Sequence, residues 1–166
     1  LYKIPTTGLR FFTVYGPWGR PDMAPMIFAK AILKGEEIKV NNYGKMSRDF
    51  TYIDDIVEGI YKCCLKPATP NNDFDYHNPD PASSIAPYRI FNIGNDESVD
   101  LMDFIQIIEK ILGKKAKLSF RELPKGDVVS TNADTNNLKK WINFKPNTTI
   151  ENGMESFLKW YVSYYK

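Results

Sequence analysis

Apolar residues recur at helical spacing in several stretches of this chain. The clearest stretch runs from about residue 54 to residue 65, where aspartates stand at the start and Pro67 follows the end. Aspartate favours the positive end of the helix dipole, and proline cannot continue a helix. The same spacing predicts helices at about residues 24–33, 101–112 and 149–165, and a short helix that follows Asp134 and reaches about Trp141.

Two of these helices have predicted inward faces that the structure can test. On the helix at residues 54–65 the apolar stripe comprises Ile53, Ile56, Val57, Ile60, Tyr61 and Cys64. On the last helix it comprises Ile150, Met154, Phe157, Tyr161 and Tyr165. Asp100 and Asp103 resemble a capping pair for the helix at residues 101–112, and Asp134 is a candidate cap for the short helix.

Apolar runs bounded by Gly, Pro and Asn predict strands between the helices. The first, residues 7–14, is apolar enough to be covered on both faces, as in a parallel sheet. Further strands are predicted at residues 38–42, 48–52, 88–93 and 116–122. Strands and helices alternate in a mixed order, which predicts the α/β class. The sequence contains no G-x-G-x-x-G, no P-loop and no H-E-x-x-H motif, so a complete dinucleotide-binding domain is not expected.

Residues 66–87 break this pattern. They contain five prolines, several Asn and Asp residues and no periodicity, which predicts an irregular surface loop. The single histidine, His77, lies in this loop without a neighbouring residue type that would suggest a triad or a metal site. We therefore expect an exposed loop histidine there, and no metal.

Composition and charge exclude several classes of function. The chain has 166 residues, is 43% hydrophobic and carries a formal net charge of +2, too small to indicate binding to nucleic acid or an anionic membrane. It has no apolar run long enough to span a bilayer. Cys63 and Cys64 are adjacent, a spacing that suits neither a disulfide nor a zinc site. Reduced thiols fit a reducing compartment, so we expect a cytoplasmic protein.

Charged residues in Gly- and Pro-rich segments that follow apolar elements suggest a small-molecule site. Arg20 and Arg48 are candidate anion binders, because a planar guanidinium can fork onto phosphate or carboxylate. Asp127 is a candidate acceptor for sugar hydroxyls. Surface salt bridges are the alternative interpretation for both arginines.

An ordered set of motifs resembles a known family. Residues 9–17 read L-R-F-F-T-V-Y-G-P and residues 19–24 read G-R-P-D-M-A, followed by R-D-F-T-Y-I-D-D at residues 48–55, A-P-Y-R-I-F-N-I-G-N at 86–95 and G-D-V at 126–128. This order is similar to that of the extended short-chain dehydrogenases, and most of all to the UDP-glucuronate 4-epimerases among them. The resemblance implies the last strands of a Rossmann-like parallel sheet plus a small C-terminal substrate-binding domain, spanning residues 1–166 without the NAD-binding part.

The resemblance also implies roles for individual residues. Thr13 would face the sugar carboxylate, Arg20 the anionic groups of the substrate, Arg48 the diphosphate and Asp127 the ribose hydroxyls. Phe28, Val40 and Tyr43 lie where the family holds uracil. Phe12 would lie near the nicotinamide, with core packing as the alternative for this residue.

In the resembled family, NAD takes a hydride from carbon 4 of the sugar while a Tyr of a Y-x-x-x-K motif removes the hydroxyl proton. The resemblance places that Tyr and Lys before residue 1, so no catalytic residue is assigned to this chain. We expect the substrate-binding portion of a UDP-sugar epimerase that is homodimeric at full length, inactive alone and inclined to self-associate through its orphaned first strand. The alternatives are a related UDP-galactose epimerase, dehydratase or decarboxylase, or a non-catalytic nucleotide-sugar binding remnant.

Overall fold

The computed structural model describes residues 2–165. Its elements follow the order β1 (Thr6–Phe11), β2 (Thr13–Tyr15), α1 (Ala24–Lys34), β3 (Glu37–Val40), a 3-10 turn (Asn41–Gly44), β4 (Ser47–Tyr52), α2 (Ile53–Leu65), β5 (Tyr88–Ile93), β6 (Ser98–Asp100), α3 (Leu101–Leu112), β7 (Lys117–Phe120), α4 (Asn136–Ile142) and α5 (Ile150–Tyr164). No helix in this described part is long and apolar enough to cross a membrane.

The strands form three small sheets. β1 pairs in parallel with β5, β3 pairs in parallel with β7, and β4 lies between β2, which is parallel to it, and β6, which is antiparallel. The predicted α/β class with parallel pairing is therefore confirmed. Parallel pairing needs long crossover connections, and here each crossover contains at least one helix.

The predicted strand at residues 7–14 is in fact two strands. β1 and β2 are interrupted at Phe12, whose N–H donates to the carbonyl of Ile93 at 3.3 Å. Before Phe12 the chain pairs with β5, and after Phe12 it pairs with β4. One continuous apolar run thus contributes a strand to each of two sheets. The hydrophobic pattern cannot show where the first strand ends, because both strands are apolar.

Other strand predictions change at their ends. The strand predicted at residues 38–42 stops at Val40, because Asn42 and Tyr43 take positive φ values of 47° and 52°. The strand predicted at residues 116–122 is limited to Lys117–Phe120, and β6 was not predicted at all. β6 has only three residues, too short for a period-2 pattern to stand out.

The helices agree closely with the predicted ranges, but not all caps do. Asp100 precedes α3 without a side-chain capping bond, so the predicted capping pair is wrong. Asp134 does accept a hydrogen bond from the N–H of Asn136 at 3.0 Å, although Thr135 is the residue that precedes α4. Thr149 caps α5 by accepting from the N–H of Asn152 at 3.3 Å.

The buried residues form two clusters. The large core joins α1, α3 and α5 to β3 and β4, with Phe104, Ile108, Met154 and Phe157 fully buried at its centre. The small core, between β5, α2 and α4, consists of Ile56, Cys63, Phe91, Ile93 and Leu138. Partly buried residues of β1 and β2 pack against this small core.

The loop at residues 66–87 contains no helix and no long strand, as predicted, yet it is hydrogen-bonded to its surroundings. Arg89 donates to the carbonyls of Thr69 and Pro70, each at 3.2 Å, and its guanidinium lies 5.4 Å from the ring centre of Trp141. The N–H of Asn71 donates to the carbonyl of Ser84 at 2.7 Å, closing the loop at its base.

Candidate functional site

A cleft of about 510 Å³ opens beside the large core. It lies between the start of α1, strand β3, the first half of β4 and the start of α3. Apolar side chains form its wall, and charged side chains form its rim: Ile27, Phe28, Phe50, Val99 and Leu101 on the wall, and Asp22, Glu37, Lys39, Arg48 and Asp127 on the rim. An apolar wall with a few convergent polar groups is typical of a small-molecule site.

Arg48 is the best-positioned cation of this cleft. Its side chain is 24% exposed, and its guanidinium donates to the carbonyl oxygens of Ser47 at 2.9 Å and Val129 at 3.1 Å. Its other terminal nitrogen donates to Asp127 at 3.1 Å. Since guanidinium has five N–H donors, these three bonds hold the group while leaving donors for a ligand. The geometry therefore suits recognition of an anion.

Asp127 reaches Arg48 from a segment 79 residues away in sequence. It is the last residue of the turn at residues 124–127, which its N–H closes by donating to the carbonyl of Pro124 at 3.1 Å. One carboxylate oxygen of Asp127 accepts from Arg48 and also from the N–H of Val128, at 2.8 Å. The structure thus brings together two residues that the sequence singled out separately.

Phe28 is the third predicted residue that lines the cleft. It projects from α1, is 7% exposed and lies 6.2 Å, centre to centre, from Phe104 of the large core. Phe50 lines the same wall and stacks on Phe104 at 4.4 Å. This row of rings fixes the apolar wall by packing it against the core.

Arg20 lies at the surface and outside the lining of the cleft. It forms a two-bonded ion pair with Asp22, at 3.1 and 2.5 Å, with 74% of the Arg20 side chain exposed. The hydrogen bonds of the pair hold the pKa of the Asp22 carboxyl below its ordinary value. In this structure Arg20 therefore has the surface salt bridge that was its alternative interpretation.

The remaining predicted site residues also lie outside the lining of the cleft. Thr13 is half-buried in β2, where its register partner is Phe50, and Phe12 is half-buried at the break before it. Val40 is fully buried, and its carbonyl accepts from the N–H of Arg121 at 2.9 Å. Tyr43 is 58% exposed, and its N–H donates to the carbonyl of Arg121 at 3.0 Å.

Sequence reasoning missed Asp49, a fully buried carboxylate next to Arg48. The sequence pattern carried no signal for its burial, because a charged residue in a strand normally indicates an exposed position. It also missed the rim residues Glu37 and Lys39. In the short strand β3, charged and apolar residues alternate, and this pattern is the same whether the charged side faces a cleft or open solvent.

The lining of the cleft contains few kinds of titratable side chain. Among the described residues, its lining includes no His, Cys or Tyr, and its basic groups are Lys39 and Arg48. Tyr15, the buried tyrosine of the first motif, lies in the large core, where burial raises the pKa of its hydroxyl well above the usual range. The described lining thus combines an apolar wall with two cations, Lys39 and Arg48, and three carboxylates, Asp22, Glu37 and Asp127.

Comparisons with known proteins identify the family of this chain. The NAD dependent epimerase/dehydratase family matches residues 1–94. Protein CapI of Staphylococcus aureus is 54% identical over 166 residues, which are 100% of this chain and 50% of that protein. A probable UDP-glucuronate 4-epimerase of Rhizobium meliloti is 43% identical over 167 residues, 100% of this chain and 49% of that protein.

A solved structure gives the same result for the fold. UDP-glucuronic acid 4-epimerase from Bacillus cereus, in complex with UDP-glucuronic acid and NAD, superposes with a TM-score of 0.80 and 31% identity. The match covers 98% of this chain and 46% of that one. The chain therefore spans about half the length of the curated relatives and solved structures that it matches.

Proposed function

We propose, because this chain belongs to the NAD dependent epimerase/dehydratase family, that it is the substrate-binding portion of a UDP-glucuronate 4-epimerase. The observation that carries the proposal is the meeting of Phe28, Arg48 and Asp127 at one cleft. The family resemblance assigns these three residues to uracil, diphosphate and ribose, and these groups are neighbours in a UDP-sugar.

The cleft supports this assignment group by group. The diphosphate would meet Arg48, whose fixed charge offsets the charge that the ligand brings in. The ribose hydroxyls would donate to Asp127, and the uracil ring would lie against the apolar wall near Phe28 and Phe50. Arg48 is already held by two carbonyls, so little side-chain freedom is lost when the ligand binds.

The sugar end of the site needs more than this cleft. We propose that Thr13 contacts the sugar carboxylate and that Arg20 contacts an anionic group after leaving Asp22. An exposed pair of this kind contributes little to stability, so an anionic ligand can compete for the guanidinium. Val40 and Tyr43 would act through their backbone, close to the uracil.

The residues of this chain do not fit a complete NAD site. The sequence contains no glycine-rich turn of the G-x-G-x-x-G type, and Phe12 is the one residue proposed to approach the cofactor. NAD, when bound by the full-length protein, would accept and return the hydride at carbon 4. We propose that this portion alone is inactive, and we derive no catalytic step from its residues.

The small sheet of β1 and β5 also supports the proposal that this chain is one portion of a larger enzyme. Within residues 2–165 β1 has only β5 as a partner, so its other edge is unpaired. A parallel sheet of two strands is well below the usual size, and its exposed edge is suited to further strands. A homodimer at full length and a cytoplasmic location stay predictions.

Titration of the chain with UDP, followed by isothermal calorimetry, tests the proposal. We expect binding that weakens with added salt, and a loss of about tenfold or more in affinity for Arg48→Ala, because a charge-assisted contact is removed. Arg10→Ala, which removes an exposed arginine of β1, is the matched control. No binding by the parent chain, or equal affinity in both variants, would contradict the proposed function.

Thr13→Ala tests which sugar the full-length protein recognises. If Thr13 faces a carboxylate, this change lowers the affinity for UDP-glucuronate far more than that for UDP-galactose, because only the former loses a hydroxyl donor to a charge. Equal losses would favour one of the related enzymes that act on neutral sugars.

A further inference from the structure

Asp49 is a fully buried carboxylate that gathers hydrogen bonds from two distant segments. Its Oδ1 accepts from the N–H of Asn95 at 2.8 Å, and its Oδ2 accepts from the N–H groups of Asp96 and Ala133, each at 3.0 Å. Thr51 donates its hydroxyl to Oδ1 at 3.4 Å. Within residues 2–165 the carboxylate has no salt-bridge partner, so backbone dipoles balance its charge.

The surroundings of Asp49 leave no room for adjustment. At Gly94, next to the accepting site, an added Cβ would lie 2.6 Å from the Cβ of Ala133 and 3.1 Å from Oδ2 of Asp49. The turn at residues 94–96, the segment that includes Ala133 and strand β4 therefore pack closely around the Asp49 side chain. The carboxylate is the group that joins all three.

Strand β4 presents different groups on its two faces. Successive side chains of a strand point to opposite faces, and here Arg48 and Phe50 line the cleft while Asp49 bonds to the turn and to Ala133. Arg48 and Phe50 therefore face the cleft, while Asp49, which lies between them, faces the opposite way and accepts from backbone N–H groups of residues 95, 96 and 133.

The segment at residues 127–133 lies along the start of β4. Ser47 donates its N–H to the carbonyl of Val129 at 3.0 Å, and its hydroxyl is 2.7 Å from that of Ser130. The N–H of Asp49 donates to the hydroxyl of Thr131 at 3.3 Å. This segment carries Asp127 at one end and Ala133, bound to the Asp49 carboxylate, at the other.

We infer that Asp49 is a positioning residue for the ligand site: its carboxylate anchors Ala133 and its N–H anchors Thr131, and together these bonds hold residues 127–133 along β4 and keep Asp127 in contact with Arg48. The assignment of Arg48 and Asp127 to a UDP-sugar rests on the function proposed above. The anchoring itself rests on the hydrogen bonds of Asp49 and can be measured without a ligand. Asp49 binds the backbone of neighbouring segments and is not part of the lining of the cleft.

The substitution Asp49→Asn tests this role with almost no change in shape. It replaces one acceptor oxygen by an NH₂ group that would face a backbone N–H, so at least one donor loses its partner. Asp55→Asn is the matched control, because Asp55 is also buried but accepts, within residues 2–165, from a single backbone N–H, that of Thr148, at 3.0 Å. The asparagine at position 55 can still accept that bond with its remaining oxygen.

Amide hydrogen exchange, read residue by residue by NMR, is the first measurement. In Asp49→Asn we expect faster exchange at Asn95, Asp96 and Ala133 and through residues 127–131, with α3 and α5 unchanged. In Asp55→Asn this segment should exchange as in the parent chain. Equal exchange of residues 127–133 in both variants and the parent would overturn the inference.

UDP affinity is the second measurement. We expect Asp49→Asn to bind about tenfold more weakly and Asp55→Asn to bind like the parent. A parent chain that binds no UDP would refute the proposed function, while the exchange comparison would still decide the role of Asp49. Normal UDP affinity in a folded Asp49→Asn protein, with the segment loosened, would overturn the link to the ligand site.

Should Asp49→Asn fail to fold, Thr131→Val replaces it. This change removes the hydroxyl that accepts from the N–H of Asp49 and leaves the carboxylate in place. We then expect moderately faster exchange in residues 127–133 and UDP binding weakened by about twofold to threefold. Unchanged exchange and affinity in Thr131→Val would contradict the inference.

Discussion

The helices α2 and α3 have similar amphipathic sequences but very different surroundings. On α3, Phe104, Ile105 and Ile108 are at most 1% exposed, because α1, α5 and β4 cover them. On α2, the predicted inward residues Val57 and Ile60 are 55% and 37% exposed. An apolar stripe is buried only where other elements supply a matching surface.

The regions around these two helices also differ in how completely their apolar residues are covered. The large core is enclosed within the described chain and carries the candidate cleft on its side. The small core has five buried residues and borders both the unpaired edge of β1 and the exposed side of α2. The candidate cleft therefore lies beside the more enclosed region, and the region of the small core has apolar surface suited to further packing.

The largest expected effect is at the centre of the large core. Phe104→Ala should lower the free energy of unfolding by about 3–5 kcal/mol, because it empties the space between Phe28 and Phe50. Val57→Ala on α2 should change it by less than about 0.5 kcal/mol. Urea unfolding followed by circular dichroism measures both, and equal losses would contradict the contrast between the regions.

A pair of helix glycines gives a sharper test. A methyl group at Gly153 would overlap the hydroxyl of the buried Tyr15, so Gly153→Ala should cost about 1–3 kcal/mol. At Gly59 of α2, the methyl would meet the terminal Cδ1 of Ile93 at 2.5 Å. That end can rotate away, and alanine favours helix, so Gly59→Ala should cost less than about 1 kcal/mol. Thermal unfolding compares the two, and a larger loss at Gly59 would reverse our interpretation.

Polar substitution on α2 tests whether its outer face is free. Replacing both Val57 and Tyr61, which are 55% and 62% exposed, by serine should leave the free energy of unfolding within about 1 kcal/mol of the parent. It should also reduce self-association, which sedimentation velocity measures at increasing concentration. A loss of stability close to that of Phe104→Ala would show that this face is covered.

The smallest expected change in the free energy of unfolding comes from removing one ion pair in each region, Glu109–Lys115 at the end of α3 and Glu58–Lys62 on α2. Hydrogen bonds from Lys115 and from the N–H of Ala116 lower the pKa of Glu109 below its ordinary value of 4.5. A carboxyl with a lowered folded pKa adds stability above that ordinary value, and the stability is lost as the pH falls below it. The difference in unfolding free energy between the parent and Glu109→Gln should therefore be present at neutral pH and shrink in acid.

Glu58→Gln is the control for this measurement. Glu58 forms an exposed pair with Lys62 one turn along α2, at 3.4 Å, and such pairs contribute about 0.3–0.5 kcal/mol. Denaturant titrations over a series of pH values compare the two variants with the parent. A difference for Glu109→Gln that grows as the pH falls would contradict the sign of the expected effect.

Helix positions could be predicted from sequence, whereas the buried sides of the helices could be predicted only in part. On α5, Met154, Phe157 and Tyr161 are buried as expected, but Tyr165 is 54% exposed, so its predicted inward position is wrong. On α2 the buried residues are Asp55, Ile56, Gly59 and Cys63, a face rotated away from the predicted stripe. Glycine and aspartate do not register as apolar, which is why spacing could not find this face.

The residues of the candidate site, like the helices, could be predicted only in part. Arg48 and Asp127 were identified by chemistry and by resemblance, but their contact joins segments 79 residues apart. Asp49 was missed because a charged residue in a strand normally indicates an exposed position. Its burial depends on N–H groups from Asn95, Asp96 and Ala133, which are distant in sequence.

By itself, then, the sequence determined the helices and most of the strands in their order, the order of the motifs and the family, since each depends on residues that are close along the chain. The tertiary structure alone decided that Phe12 separates two sheets, which face of α2 is buried, and that Arg48 pairs with Asp127. These outcomes depend on which surfaces meet after folding, and local periodicity carries no information about a partner that is far away in the chain.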